Sequence, residues 1–79
     1  MTLKVVSPKG VLFQGEIDFV EVPGVNNRNF NVLEGHAPLI STLERGTMKY
    51  ATGGKETSFD IVSGFIRVKE NHVVVCVEQ

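Results

Sequence analysis

Apolar and polar residues alternate along most of the chain, and this two-residue period constrains the fold more than any other feature. Met48 and Tyr50 alternate with Lys49, for example, and similar runs recur before and after them. Successive side chains of a β-strand point to opposite faces, so the pattern predicts strands with one buried face. Turn signals rich in Gly, Pro and Asn separate the runs about every 8 to 12 residues, which is typical of a β-sandwich or barrel.

Four local signals refine this prediction. Residues 53–54 and 70–71 each separate two strand-like runs and predict hairpin turns. The alternation changes phase between Phe19 and Val20, which predicts a β-bulge or a change of sheet. The last run, HVVVCV, is apolar on both faces and predicts a strand that is covered on both sides. The segment APLISTLERG is bracketed by proline and glycine and predicts at most one turn of helix.

The composition predicts one small globular domain spanning residues 1–79. The chain has 79 residues, 42% of them hydrophobic, and a net charge of −1. Near-neutral charge with scattered basic residues disfavours nucleic-acid binding, and no segment is apolar enough to insert into a membrane or resembles a signal peptide. Cys76 is the single cysteine, which fits a reducing, cytoplasmic compartment. Its place between valines predicts a buried, unreactive thiol.

The sequence contains no motif for catalysis, metal binding or a cofactor. His72 follows a turn and is predicted to be a solvated surface residue. His36 lies in a constrained loop, between Gly35 and the Ala37-Pro38 pair. We expect its ring either to be held by nearby backbone hydrogen bonds or to be presented to a partner, with the first favoured by physics alone.

The segment VNNRN is the other unusual loop. Asn26 and Asn27 tolerate left-handed backbone angles, so they can replace turn glycines. The alternative is a contact tip that carries hydrogen-bonding amides, to which Arg28 and Asn29 also belong. From this loop alone, the interpretation as turn residues is favoured over a contact tip.

Three segments in order, SPKGVLFQGEIDFVEVPG, FNVLEGHAPLISTLERG and FDIVSGFIRVKENHVVVCVE, resemble the epsilon subunit of F-type ATP synthases, called delta in mitochondria. The most specific motif is GHAPL at residues 35–39, followed by Phe13-x-Gly15 and the late Gly64-Phe65-x-x-Val68. The resemblance covers the whole chain but only the N-terminal domain of that family.

This resemblance implies an all-β fold, a flattened β-sandwich of two roughly five-stranded, mostly antiparallel sheets. It implies a non-catalytic rotor subunit of the central stalk, without cofactor or metal, that couples ion translocation to ATP synthesis. The implied partners are the gamma subunit and the c-ring, at the cytoplasmic face of a bacterial inner membrane. The implied gamma interface comprises His36, Ala37, Pro38, Leu39 and Ser41, and the implied c-ring-facing loop comprises Asn26, Asn27, Arg28 and Asn29.

The sequence also departs from the family pattern. Asparagines replace glycines in the 25–29 loop, Asn29 stands where an acidic residue is common, and Glu34 stands where proline is common. The helical hairpin that follows the sandwich in many members is missing, as in a naturally short or a truncated subunit. We therefore expect no inhibition by such helices and no nucleotide site there.

Two other functions remain open from the residues alone. The first is a stand-alone ligand-binding β-sandwich, such as a carbohydrate module, which needs exposed aromatic residues. Phe19, Tyr50 and Phe59 alternate with polar residues and are predicted to point inward, which disfavours this function. The second is a small enzyme, for which His36 is the only candidate residue.

Overall fold

The computed structural model describes all residues from Met1 to Gln79 and contains nine β-strands. The only helical element is a 3₁₀ turn at Val25–Asn27, and no helix is long and apolar enough to cross a membrane. The strands are β1 Thr2–Ser7, β2 Gly10–Glu16, β3 Phe19–Pro23, β4 Asn29–Leu33, β5 Leu39–Leu43, β6 Gly46–Thr52, β7 Lys55–Ile61, β8 Ser63–Lys69 and β9 His72–Glu78.

The strands form two sheets that pack face to face. The order in the five-stranded sheet is β2-β1-β9-β8-β5, and in the four-stranded sheet it is β4-β3-β6-β7. Only β1 and β9 run parallel, and all other neighbours are antiparallel. These sheets confirm the predicted mostly antiparallel sandwich, with four strands instead of five in the second sheet. The phase change near Phe19 marks a change of sheet, because β2 and β3 belong to different layers.

The core lies between the two sheets and consists of apolar residues from alternate positions. Val73, Val75 and Val77 of β9 are buried, whereas Val74 and Cys76 between them are not. Fifteen buried residues form one cluster: Leu3, Val5, Ile17, Val20, Val22, Val32, Leu43, Met48, Tyr50, Ile61, Ile66, Val68, Val73, Val75 and Val77. No buried side-chain nitrogen or oxygen lacks a hydrogen-bond partner.

Both predicted hairpins are present. Thr52 pairs with Lys55 across residues 53–54, and Lys69 pairs with His72 across residues 70–71. All four turn residues have positive φ, between 51° and 82°. Two-residue turns with positive φ match the right-handed twist of the strands that they join. Glycine and asparagine adopt such angles readily, whereas Glu70 adopts them without a preference of its own.

Two expectations about individual side chains were wrong. Cys76 is half-buried on the outside of the five-stranded sheet, because alternation with the buried Val75 and Val77 directs it away from the core. Phe19 also faces outward, under the ammonium group of Lys49, whose Nζ lies 5.9 Å from the ring centroid. Tyr50 is buried and Phe59 packs against the core, as predicted. The APLISTLERG segment contains strand β5 and no helix, within the predicted limit of one helical turn.

Candidate docking surfaces

The β4–β5 loop, residues 34–38, lies at one end of the sandwich. Gly35 has a φ of 84°, which favours glycine. The His36 backbone N–H donates to the Leu33 carbonyl at 3.1 Å, and the His36 Nδ1 lies 2.7 Å from the Ala37 carbonyl oxygen. A carbonyl oxygen only accepts, so Nδ1 carries the proton and Nε2 is left for other contacts. The histidine is therefore held by nearby backbone, which is the first of the two expected roles.

Two long-range contacts connect this loop to the rest of the fold. The Gly35 N–H donates to the Asn71 Oδ1 at 2.7 Å. The amino group of Met1 lies 3.6 Å from the Glu34 carboxylate and 3.1 Å from that of Glu16. The hydrogen bond to Glu16 and the charges of both carboxylates hold the pKa of this amino group above its ordinary value. The loop, the amino terminus and the β8–β9 turn are thus joined at one end of the molecule.

The polar tip, residues 25–29, lies at the opposite end, where β3 turns into β4. Asn26 and Asn27 both have a φ of 59°, as their tolerance of left-handed angles predicted. The Asn26 N–H donates to the Glu44 Oε1 at 3.1 Å, and the Asn29 amide donates to the Glu21 Oε2 at 3.2 Å. A Cβ at Gly24 would lie 2.6 Å from a backbone oxygen of the tip. These contacts give the exposed tip a defined shape.

The outer face of the five-stranded sheet carries an apolar patch, called the apolar face below, with polar and basic residues around it. One row of residues in register crosses all five strands and comprises Val11, Val6, Cys76, Phe65 and Thr42. The neighbouring row comprises Gln14, Lys4, Val74, Arg67 and Ile40. Ile40 is 76% exposed, Val11 53% and Phe65 49%. An open groove of about 650 Å³ at one end of this face is lined in part by Val6, Phe65 and Cys76.

The outer face of the four-stranded sheet is polar by contrast. The Lys49 ammonium group pairs with the Glu21 carboxylate at 3.8 Å and with the Glu56 carboxylate at 3.7 Å. The Thr47 hydroxyl donates to the Asp60 carboxylate at 2.7 Å. The charged groups of this face therefore contact one another, and Leu33 is the large apolar residue that this face exposes most.

The structure separates the five residues of the predicted gamma interface. His36, Ala37 and Pro38 share the β4–β5 loop, and Pro38 also lines a groove beside Ile40. Leu39 is half-buried against the core. Ser41 is half-buried next to the polar tip, where it lines an open groove of about 680 Å³. Its hydroxyl donates to the backbone carbonyl oxygen of Thr42.

Sequence reasoning did not predict the exposure of two large apolar residues, Ile40 and Phe65. Ile40 lies between Leu39 and Ser41 and points away from both, and Phe65 precedes the buried Ile66. The signal for both residues was alternation, because a large apolar residue out of phase with a buried neighbour lies on the outer face. No group of three His, Cys, Asp or Glu side chains is arranged to hold a metal ion.

The fold and its surfaces define a class of two-layer β-sandwich domain with an apolar patch on one outer face and a group of paired charges on the other. The family model described as "ATP synthase, Delta/Epsilon chain, beta-sandwich domain" matches residues 1–79. The chain belongs to this family.

Individual relatives agree with this assignment. An ATP synthase epsilon chain from Desulfitobacterium hafniense is 40% identical over 74 residues, which are 94% of this chain and 55% of the relative. An ATP synthase epsilon chain from Chlorobaculum tepidum is 38% identical over 79 residues, which are 99% of this chain and 89% of the relative. The chain thus spans about half the length of the first of these relatives and most of the second.

The fold also matches solved structures. A chain in the Euglena gracilis mitochondrial ATP synthase, in a structure of its OSCP, F1 and c-ring, superposes with a TM-score of 0.86 at 21% identity. The match covers 98% of this chain and 49% of that chain. A chain in the central stalk and c-ring structure of the Tetrahymena thermophila enzyme gives a TM-score of 0.82 at 15% identity, covering 100% of this chain and 63% of that chain.

Proposed function

We propose that this chain is a non-catalytic rotor element in the central stalk of an F-type ATP synthase. In this role it binds the gamma subunit and the c-ring and couples ion translocation to ATP synthesis. It acts at the cytoplasmic face of a bacterial inner membrane as a peripheral part of the complex, without entering the bilayer. Its family and the names of its relatives support this proposal.

The apolar outer face of the five-stranded sheet is the observation that carries the proposal. Contiguous apolar patches of this kind mark interaction sites in small domains. The face ends at strand β5, which continues from the β4–β5 loop, so Ile40 and Pro38 form one continuous surface. We assign this surface to the gamma subunit, with His36 and Ala37 at its border. Leu39 supports the surface from beneath.

Basic side chains lie within the same face. Lys4 and Arg67 flank Val74 in one row, and Lys69 is two residues further along β8. The two carboxylates of this face, Glu16 and Glu78, lie at strand ends. A partner that covers the face therefore needs an apolar centre with carboxylates opposite the basic residues, which would set its orientation and raise its association rate.

The polar tip is assigned to the c-ring. Asn26, Asn27, Arg28 and Asn29 are all exposed and offer amide and guanidinium groups to a polar partner loop. Since the tip and the β4–β5 loop lie at opposite ends, the two partners can be held at once. The hydrogen-bonded ladders and the packed core between the ends resist shear collectively, which suits an element that transmits torque.

A crossed pair of variants tests both assignments. Phe65→Ser removes the exposed aromatic ring of the apolar face, and Arg28→Ala removes the charge at the tip. We expect Phe65→Ser to weaken binding of the purified gamma subunit and to leave capture of the c-ring unchanged. We expect the reverse for Arg28→Ala.

Circular dichroism and urea unfolding confirm that each variant is folded before binding is measured by calorimetry and pull-down. Equal loss of both partners in both variants would contradict the separation of the two surfaces. A wild-type chain that captures neither partner would contradict the proposed function itself.

A further inference from the structure

We propose that Asn71 is a positioning residue that fixes the direction of the β4–β5 loop for partner binding. This inference rests on the proposed function, because it concerns the same loop and the same gamma-facing surface. The residue lies in the turn between β8 and β9, 36 positions away in sequence from the glycine that it contacts. The sequence predicted a hairpin turn at residues 70–71 and gave the Asn71 side chain no role.

Asn71 joins three parts of the chain through its side chain and its backbone. Its Oδ1 accepts the Gly35 N–H at 2.7 Å. Its backbone carbonyl accepts the Thr2 N–H at 2.9 Å, which ties the same turn to the first strand. The turn itself is fixed by the β8–β9 hairpin in the middle of the five-stranded sheet. Gly35 is therefore bonded to a rigid part of the fold.

The other hydrogen bonds of the loop cannot perform this task. The His36 N–H bonds to the Leu33 carbonyl at the end of β4 and the His36 ring bonds to Ala37, so both bonds are local and neither joins the loop to a distant part of the fold. The ion pair between Glu34 and the amino group of Met1 spans 3.6 Å, and the Glu34 side chain is 76% exposed. An exposed pair of this kind contributes little and is screened by salt. The amide of Asn71 is the remaining fixed point between β4 and β5.

The chemistry of the site explains why asparagine occupies this position. Asn71 has a φ of 62°, a left-handed conformation that asparagine tolerates better than most residues. Its short side chain also presents an acceptor oxygen to the neighbouring loop. Glycine would keep the backbone conformation and lose the acceptor, whereas aspartate would keep the acceptor. This pair of substitutions separates the hydrogen bond from the turn geometry.

The test compares Asn71→Gly, Asn71→Asp and the control Glu70→Gly. Glu70 occupies the same turn with a φ of 51°, and its side chain makes none of the hydrogen bonds or ion pairs of the structure. Hydrogen exchange at the Gly35 amide reports on the loop directly, and calorimetry with the purified gamma subunit reports on binding. Loss of one hydrogen bond predicts that Asn71→Gly speeds exchange and weakens binding about fivefold each. Asn71→Asp and Glu70→Gly should stay near wild type in both measurements.

The outcomes distinguish a failure of the proposed function from a failure of the positioning role of Asn71. If wild type does not bind the gamma subunit, the proposed function fails, while exchange at Gly35 still judges the contact with Asn71. If Asn71→Gly binds as wild type does, or if Asn71→Asp loses affinity equally, the positioning role is overturned. Urea unfolding of all three variants identifies any loss of affinity that is caused by unfolding alone, and such a loss in Asn71→Gly would also count against the proposal.

Discussion

Replacing Ile40 with alanine should separate binding from stability more clearly than any other change on the apolar face. The substitution removes three carbon atoms, worth about 2.4 kcal/mol when fully buried at about 0.8 kcal/mol each. Because Ile40 is 76% exposed, only about a quarter of this burial exists in the free chain. The free energy of unfolding should therefore fall by about 0.6 kcal/mol. The remaining 1.8 kcal/mol or so is gained only when a partner covers the residue.

Calorimetry with the purified gamma subunit should then show an increase in Kd of about 20-fold, since about 1.4 kcal/mol corresponds to tenfold. Urea unfolding of the free chain measures the smaller effect on stability. Leu33→Ala is the matched control, because Leu33 is 57% exposed on the four-stranded sheet. It should cost about 1 kcal/mol of stability and leave the Kd unchanged. An unchanged Kd for Ile40→Ala, or an equal loss for Leu33→Ala, would refute the assignment of the apolar face.

Three further predictions concern the tip, the amino terminus and the thiol. Glu44→Ala removes the acceptor of the Asn26 N–H and should speed hydrogen exchange at Asn26, with a stability cost of about 1 kcal/mol. Substitution of the exposed Glu78 by alanine is the control. Unchanged exchange at Asn26 in Glu44→Ala would show that this contact does not hold the tip. The raised pKa of the Met1 amino group adds stability that is complete below about pH 8 and is lost as pH rises through the pKa of the folded state. Urea unfolding between pH 7 and pH 10 should show this loss, and Glu16→Gln should reduce it; an identical pH dependence in both proteins would refute the ion pair. Cys76, half-buried on the outer face, should react with a thiol reagent in the native chain and be protected by the gamma subunit, whereas reaction only in denaturant would place it in the core.

The strands, hairpins and two-layer arrangement follow from the sequence because they depend on local patterns. A period of two residues identifies a strand wherever one face is apolar and the other polar. Residues 53–54 and 70–71 identify their turns because few residues adopt positive φ. The phase change near Phe19 allowed a β-bulge or a change of sheet, and the structure has a change of sheet just before β3.

Local patterns fail where two structures share the same signal. Leu39 and Leu43 are four residues apart, a spacing that places them on one face of a helix and equally on one face of a strand. In the run from Val73 to Val77 both faces are apolar, so the pattern alone does not indicate which face is covered. The direction of Cys76 is then set by packing against the opposite sheet.

The candidate surfaces could be predicted only in part from the sequence, for a related reason. The motif at residues 35–39 identified the loop, but its contact with Asn71 joins residues that are distant in sequence. The exposed position of Ile40 depends on which edge of the sheet β5 occupies, and this in turn depends on pairing with β8. Such long-range contacts arise from the tertiary fold.

An NMR titration of the labelled chain, first with the gamma subunit and then with the c-ring, tests the central claim most directly. The gamma subunit should shift the signals of Ile40, Phe65 and the β4–β5 loop, and the c-ring should shift those of Asn26 and Asn29. Shifts that centre instead on Lys49, in the polar face of the four-stranded sheet, would contradict the account.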